Sequence, residues 1–188
     1  MGLIGLAAIF FLPLALSFYL YYGTGWRPAG GTQHGELVSP ARPLPAVSLT
    51  RADGKPTGTD FLRGTWHLVY VGDGTCPGSC REMLVKTRQI RLALNKDINR
   101  VHRVFLYAGG PPPQDYLDRE HGDLVAASLA GPDGARLLAV FPPDPPPLGG
   151  HLYLVDPLGN LMMSYPPDAT RKGILTDLQR LLKLSHIG

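Results

Sequence analysis

Two short apolar runs, Trp66–Val71 and Val101–Tyr107, stand about 30 residues apart with a helix-patterned segment between them. That arrangement constrains the fold more than any other feature of the chain. The first run, extended back to Thr65, is almost continuous in apolar, β-branched and aromatic residues, which is how a strand buried on both faces reads. The segment from about Ser79 to Leu94 sets Met83, Leu84, Ile90, Leu92 and Leu94 among Lys86, Arg88, Arg91 and Lys96. This is an amphipathic helix with a basic outer face. Strand, helix and strand at this spacing form a βαβ crossover, which makes the two strands parallel.

The turn between the first strand and the helix is Gly72-Asp73-Gly74-Thr75-Cys76-Pro77-Gly78-Ser79-Cys80, and it holds the only two cysteines in 188 residues, spaced C-x-x-x-C. Helical residues four apart share one face, so Cys76 and Cys80 on a first helical turn would point their sulfurs at one spot. Helix N-termini stabilise thiolates, the reactive and metal-binding form of cysteine. Pro77 suits the start of a helix, and Gly74 and Gly78 suit a tight turn. Such a pair either ligates a soft metal or cycles between dithiol and disulfide. The bland alternative is an inert bridge or two buried thiols; a bridge closing so short a loop restrains the unfolded chain little.

The N-terminal stretch Leu3–Tyr22 carries no charge, and Arg27 is the first charged side chain. Its length matches a membrane-crossing helix. Phe18, Tyr19, Tyr21, Tyr22 and Trp26 crowd its end like an interfacial aromatic belt. Pro13 is tolerated in such a helix. A cleaved signal peptide is the rival reading, but bulky aromatics stand where small residues would mark cleavage. The chain therefore divides into an anchor over 1–26, a Gly/Pro-rich linker over 27–45 and one domain over 46–188. A net charge of +3 without a basic run gives no reason to expect nucleic acid.

Within the domain, Ala46–Thr50 reads as a short strand and Asp53-Gly54 as a turn. Gln114–His121 reads as a short helix, Leu124–Leu129 as a strand and Ala135–Phe141 as a helical turn or two. Pro142–Gly150 is a stiff loop, His151–Tyr165 a hairpin turning at Asp156–Asn160, and Ala169–Leu184 a closing helix. Alternation puts Met162 and Met163 on opposite faces. His34 reads as solvated in the linker, His67 as a core or edge residue, His102 as solvated and His121 as a generic polar residue.

The order strand, C-x-x-x-C helix, strand, proline-rich insert, hairpin and final helix is a thioredoxin-like layout. Two stretches resemble the Sco/SenC family of membrane-tethered copper proteins that assist cytochrome c oxidase assembly. One is Leu68–Cys80, similar to that family's strand followed by T-C-P-x-x-C. The other is Tyr153-Leu154-Val155-Asp156-Pro157-Leu158-Gly159, similar to its Y-L-x-D-P-x-G hairpin. The resemblance implies an α/β thioredoxin-like fold, a central mixed sheet flanked by helices, behind one transmembrane helix. It also implies copper, as Cu(I) or Cu(II), held by Cys76, Cys80 and a downstream histidine. The family's histidine position falls on Leu148 here, and His151 is the candidate in its place. Gly78 stands where the family has Asp, and Arg81 where it has Pro.

The implied setting is a bacterial inner membrane with the domain in the periplasm. The implied partners are the oxidase subunit carrying the dicopper site and other copper-chaperone or thiol-redox proteins. Copper delivery, or preparation of that site's cysteines, is the leading expectation. A thiol–disulfide oxidoreductase working through Cys76 as the more exposed attacking thiol and Cys80 as the resolving one, without stable metal, is the second. A non-catalytic assembly scaffold is the third.

Overall fold

In a computed structural model, the structure describes residues 2–24, 33–144, 146–185 and 187. Trp26, Arg27 and the rest of 25–32, together with Pro145, lie outside the described residues. The chain forms two compact units, one up to Thr32 and one from Gln33 onward.

The first unit is a helix, α1 (Gly2–Phe18), continued by wider π-type turns through Tyr19–Gly23. Leu, Ala, Ile and Phe fill it, and no charge interrupts it. The stretch Gly5–Gly23, 19 residues, extends to about 29 Å as a helix, close to the thickness of a hydrocarbon core. It is long and apolar enough to cross a membrane.

The second unit is built on one six-stranded sheet in the order β1-β6-β5-β2-β3-β4. Its strands are β1 (Glu36–Pro43), β2 (Trp66–Asp73), β3 (Val101–Ala108), β4 (Leu124–Ser128), β5 (Leu152–Val155) and β6 (Asn160–Tyr165). β2 and β3 pair in parallel, as do β3 and β4, while β5 and β6 add antiparallel partners on the other side of β2. The sheet is therefore mixed, with β2 near its centre. Every residue of β2 but Asp73 is buried.

Alternation along the strands sorts the core into two layers. Leu68, Tyr70, Phe105, Leu152 and Leu154 face the layer made by α2 (Gly78–Leu92) and α5 (Arg171–Leu184), and Cys76 and Cys80 belong to this layer. Val69, Val71, Leu106, Tyr153 and Val155 face the other, closed by α4 (Gly131–Leu138), Phe141 and the segment from Leu44 to Leu62. Leu84 and Ile90 of α2 are fully buried, each contributing about 1.5–3 kcal/mol of apolar burial. A short helix, α3 (Gln114–Glu120), bridges β3 and β4 and buries Leu117.

Two expectations are corrected here. The linker expected over 27–45 contains an edge strand: Glu36–Pro43 pairs antiparallel with β6. Its two prolines and mostly exposed side chains remove the period-two signal, and proline is tolerated at a sheet edge or bulge, where the register here shifts between Leu37 and Arg42. The strand expected over Ala46–Thr50 is absent as a ladder; only Thr50 forms an isolated bridge, to Pro56. Leu44, Val47 and Leu49 are buried, so the apolar residues signal burial of an irregular segment rather than pairing.

Candidate redox and metal site

The site grows from the C-terminal end of β2. Asp73 closes the turn by accepting the Thr75 N–H on its carboxylate at 2.8 Å and the Cys76 N–H on its carbonyl at 3.1 Å. That bond to Thr75 holds the Asp73 carboxyl below its usual range. Gly74 passes so close to the β3–α3 turn that an added Cβ would lie 1.8 Å from the Gly110 carbonyl oxygen. Cys76 takes a left-handed backbone with φ of 47°. Pro77 is the N-cap, and its carbonyl accepts the Arg81 N–H at 3.0 Å.

Cys76 and Cys80 are joined in a disulfide with their Cα atoms 5.0 Å apart. The sulfurs do meet, but by a different route from two positions on one helical turn. Cys76 lies before the N-cap, and Cys80 is the third helical residue. The left-handed twist at Cys76 brings it back to the helix. Nor is Cys76 the more exposed of the two, since both are 1% exposed. A cavity of 310 Å³ opens at this end of α2, lined by Tyr70, Ser79, Met83, Gly149, Gly150 and Pro167. The Tyr70 hydroxyl reaches over Gly72, where a Cβ would stand 2.9 Å from it. Burial pushes the Tyr70 phenol up, helped by the Asp73 charge.

His151 is not brought to the sulfurs. It precedes β5 two residues before Tyr153, and its ring lies 6.3 Å from the Tyr153 ring. Both line a cavity with Glu36, Ser39, Arg42 and Asp144. Tyr153 packs in the layer opposite the cysteines, so the sheet stands between His151 and the dithiol. Burial lowers the His151 pKa, against the pull of Glu36. Among the described residues no three His, Cys, Asp or Glu side chains gather where they could hold a metal. Two thiolates released from the disulfide fit a soft ion such as Cu(I); the expected set of Cys76, Cys80 and His151 does not form.

Two of the other histidines, His121 and His34, depart from expectation, while buried His67 and exposed His102 match it. His121 is buried, and so is Arg103, whose Nη2 donates to His121 Nδ1 at 3.2 Å. A guanidinium can only donate, so Nδ1 is the acceptor and Nε2 carries the proton. Nε2 therefore donates to the Tyr116 hydroxyl at 2.9 Å. Burial first and Arg103 second push His121 down to about 4, so it is neutral at physiological pH. The Tyr116 ring lies beneath the Arg81 guanidinium at 5.0 Å, and Arg81 Nε donates to the Cys76 carbonyl at 3.3 Å. A chain of polar contacts thus runs from the interior of β3 to the cysteine turn. Its sequence signal is Arg103, next to His102 in an otherwise apolar strand, which only burial reveals as structural.

His34 is not merely solvated. Its N–H and the Gly35 N–H donate to Asp177 Oδ2 at 2.7 and 3.0 Å, and its ring meets Oδ1 at 3.1 Å. Asp177 is buried in α5 and also accepts the Tyr165 hydroxyl at 3.2 Å. His67 is buried near the far end of β2, its ring 6.0 Å from that of exposed His102.

Comparison with known proteins agrees with the fold. A model of the transmembrane-like, thioredoxin-like, C-terminal domain family matches residues 66–185, nearly two thirds of the chain. The chain belongs to that family. One curated relative of this family member, named "Putative copper-binding protein", from Stutzerimonas stutzeri, is 30% identical over 54 residues, 29% of this chain and 26% of its own length. The match thus spans only about a quarter of that relative. Among solved structures, apo Sco1 of Thermus thermophilus aligns with a TM-score of 0.65 at 20% identity, over 81% of this chain and 99% of that one. Copper-bound Sco1 of yeast aligns with a TM-score of 0.64 at 18% identity, over 79% and 96%. At these identities the likeness is one of fold, and the fold is the thioredoxin-like, Sco-type arrangement.

Proposed function

We propose that this protein is a membrane-anchored, Sco-type dithiol–disulfide protein. In this reading it reduces the cysteine pair of a copper site in a partner protein and passes Cu(I) to the same site. The observation that carries it is the Cys76–Cys80 disulfide at the N-terminal end of α2. Reduced, Cys80 sits among the unpaired N–H groups of the first helical turn, which stabilise a thiolate. One of the two thiolates attacks a partner disulfide and forms a mixed disulfide; the other displaces the partner sulfur. The partner gains two thiols and the Cys76–Cys80 bond re-forms, so two electrons and two protons move to the partner.

Copper carriage by the two thiolates alone is the companion reading, favoured by the name of the curated relative. Cu(I) accepts soft sulfur and needs no imidazole here. The dicopper subunit of a cytochrome c oxidase, on the periplasmic side of a bacterial inner membrane, is the partner and setting that the Sco resemblance supports. A Cu(I) titration of the reduced full chain in neutral detergent tests the copper part. The expected result is one Cu(I) per chain, lost in Cys76→Ala/Cys80→Ala and unchanged in His151→Ala. Equilibration with glutathione buffers tests the redox part. A chain that neither binds Cu(I) nor exchanges with glutathione would overturn the proposal.

A further inference from the structure

The four cations of α2 fall into two kinds. Arg88 pairs with Glu120 at 3.0 Å and Arg91 with Asp123 at 3.4 Å. Arg81 and Lys86 have neutral partners: the Cys76 carbonyl and Tyr116 ring for Arg81, and the Pro167 and Ala169 carbonyls, at 3.1 and 2.9 Å, for Lys86. Arg171, the first residue of α5, likewise donates to the Gln89 amide oxygen at 2.6 Å. Among the described residues none of these three is in an ion pair. All three line one groove of 560 Å³, whose other lining residues are Glu82, Val85 and Gln89. Three cations against the single Glu82 carboxylate leave a local charge of +2.

The groove begins at the disulfide, because Arg81 both lines it and bonds the Cys76 carbonyl. From Cys80 to Gln89 the helix rises roughly 13 Å, the reach of about four extended residues. Val85 and the stems of the long side chains offer apolar wall along that length.

We infer that the groove between α2 and α5 docks an acidic, extended segment of the partner protein and so selects which thiols exchange with Cys76 and Cys80. This rests on the dithiol–disulfide reading above. In the reverse direction of exchange, two partner thiols become a disulfide while the Cys76–Cys80 disulfide becomes two thiols, so the atoms and electrons balance either way.

The test measures reduction of the oxidised full chain, in neutral detergent, by three dithiol peptides with acidic, uncharged or basic flanks, and by dithiothreitol. Rates are compared per thiolate, because acidic flanks raise the peptide's own thiol pKa. At low salt the acidic peptide is expected to react about tenfold faster than the uncharged one and the basic peptide slower, the differences closing at high salt. Arg171→Gln, and Arg171→Gln with Lys86→Gln, should shrink the acidic preference while the dithiothreitol rate stays the same. The single variant matters because Lys86 also holds the loop carbonyls. Equal per-thiolate rates for all three peptides, with dithiothreitol active, overturn the inference and leave the redox reading standing. A disulfide that dithiothreitol cannot reduce overturns both. In lipid nanodiscs, absence of peptide preference together with protection of Lys86 from acylation by anionic lipid assigns the groove to the membrane surface and overturns the inference.

Discussion

Arg103→Met removes a cation from the interior while keeping most of its length and apolar stem. Arg103 has no exposed side-chain surface. It donates to Asp123 at 2.8 Å, to the Leu84 carbonyl at 2.9 Å, and to His121 and Thr87 at 3.2 Å each. Burial draws Arg103 down to about 10, with Asp123 pulling the other way, so it remains charged at neutral pH. Removing one member of a buried pair destabilises by about 3–5 kcal/mol, and each stranded buried acceptor adds about 1–3 kcal/mol. Asp123 is 31% exposed and keeps Arg91 at 3.4 Å, which moves the expectation to the low end, about 3 kcal/mol.

Urea unfolding of the full chain in detergent, followed by tryptophan fluorescence, measures this loss. The same variant removes the cation that helps hold His121 down to about 4. Its ring should therefore titrate higher by NMR, while burial still keeps it under the ordinary histidine value. A loss below about 1 kcal/mol at unchanged denaturant slope, or an unmoved His121 titration, would refute the buried network as described.

Four further outcomes follow from other parts of the molecule. Gly74→Ala must displace the Gly110 carbonyl, 1.8 Å from the new Cβ, and should cost about 1–3 kcal/mol in the same unfolding assay. Gly78→Ala, with nothing within 4 Å, should be neutral or stabilising by up to about 1 kcal/mol. His67 and His121 are both held down to about 4 from 6.5, by burial first and then by His102 and Arg103 respectively. Their contribution is fully present above pH 6.5 and is lost as pH falls toward 4, by up to about 3 kcal/mol each; a flat urea midpoint between pH 7 and pH 4.5 would contradict this. Reduction of the Cys76–Cys80 bond, which closes a five-residue loop, should lower stability by no more than about 2 kcal/mol in a chain-entropy account, measured as the difference in urea midpoint with and without reductant.

The βαβ core was legible because its signals are local. A strand run, Trp66–Val71, that is apolar except for His67 requires burial on both faces, and the amphipathic segment after it has to cover one of those faces. The cysteine pair was legible for the same reason, since four-residue spacing at a strand–helix turn leaves the sulfurs few places to go. Its conformation was not: the left-handed Cys76 arises from the turn that Asp73 and the Gly110 approach impose, and the letters C-P-G-S-C read equally well as a helical turn.

What only tertiary structure decided is which side chains share a face. His151 lay three residues from the family position, and a small displacement in chain was enough to matter. Side chains alternate along an extended segment, so the parity shared with Tyr153 sends His151 to the layer opposite the dithiol. The roles of Arg103 and Asp177 carry no local signal, because Arg103 meets His121 and Asp123 18 and 20 residues away and Asp177 meets His34 143 residues away. β1 was hidden because edge pairing uses backbone groups that every residue carries, and its side chains give no alternating pattern. The amino-acid sequence by itself determined an apolar helix able to cross a membrane, a parallel strand pair and two sulfurs at its turn. The folded sheet determined that the sulfurs meet each other and not His151, because one layer of backbone separates them.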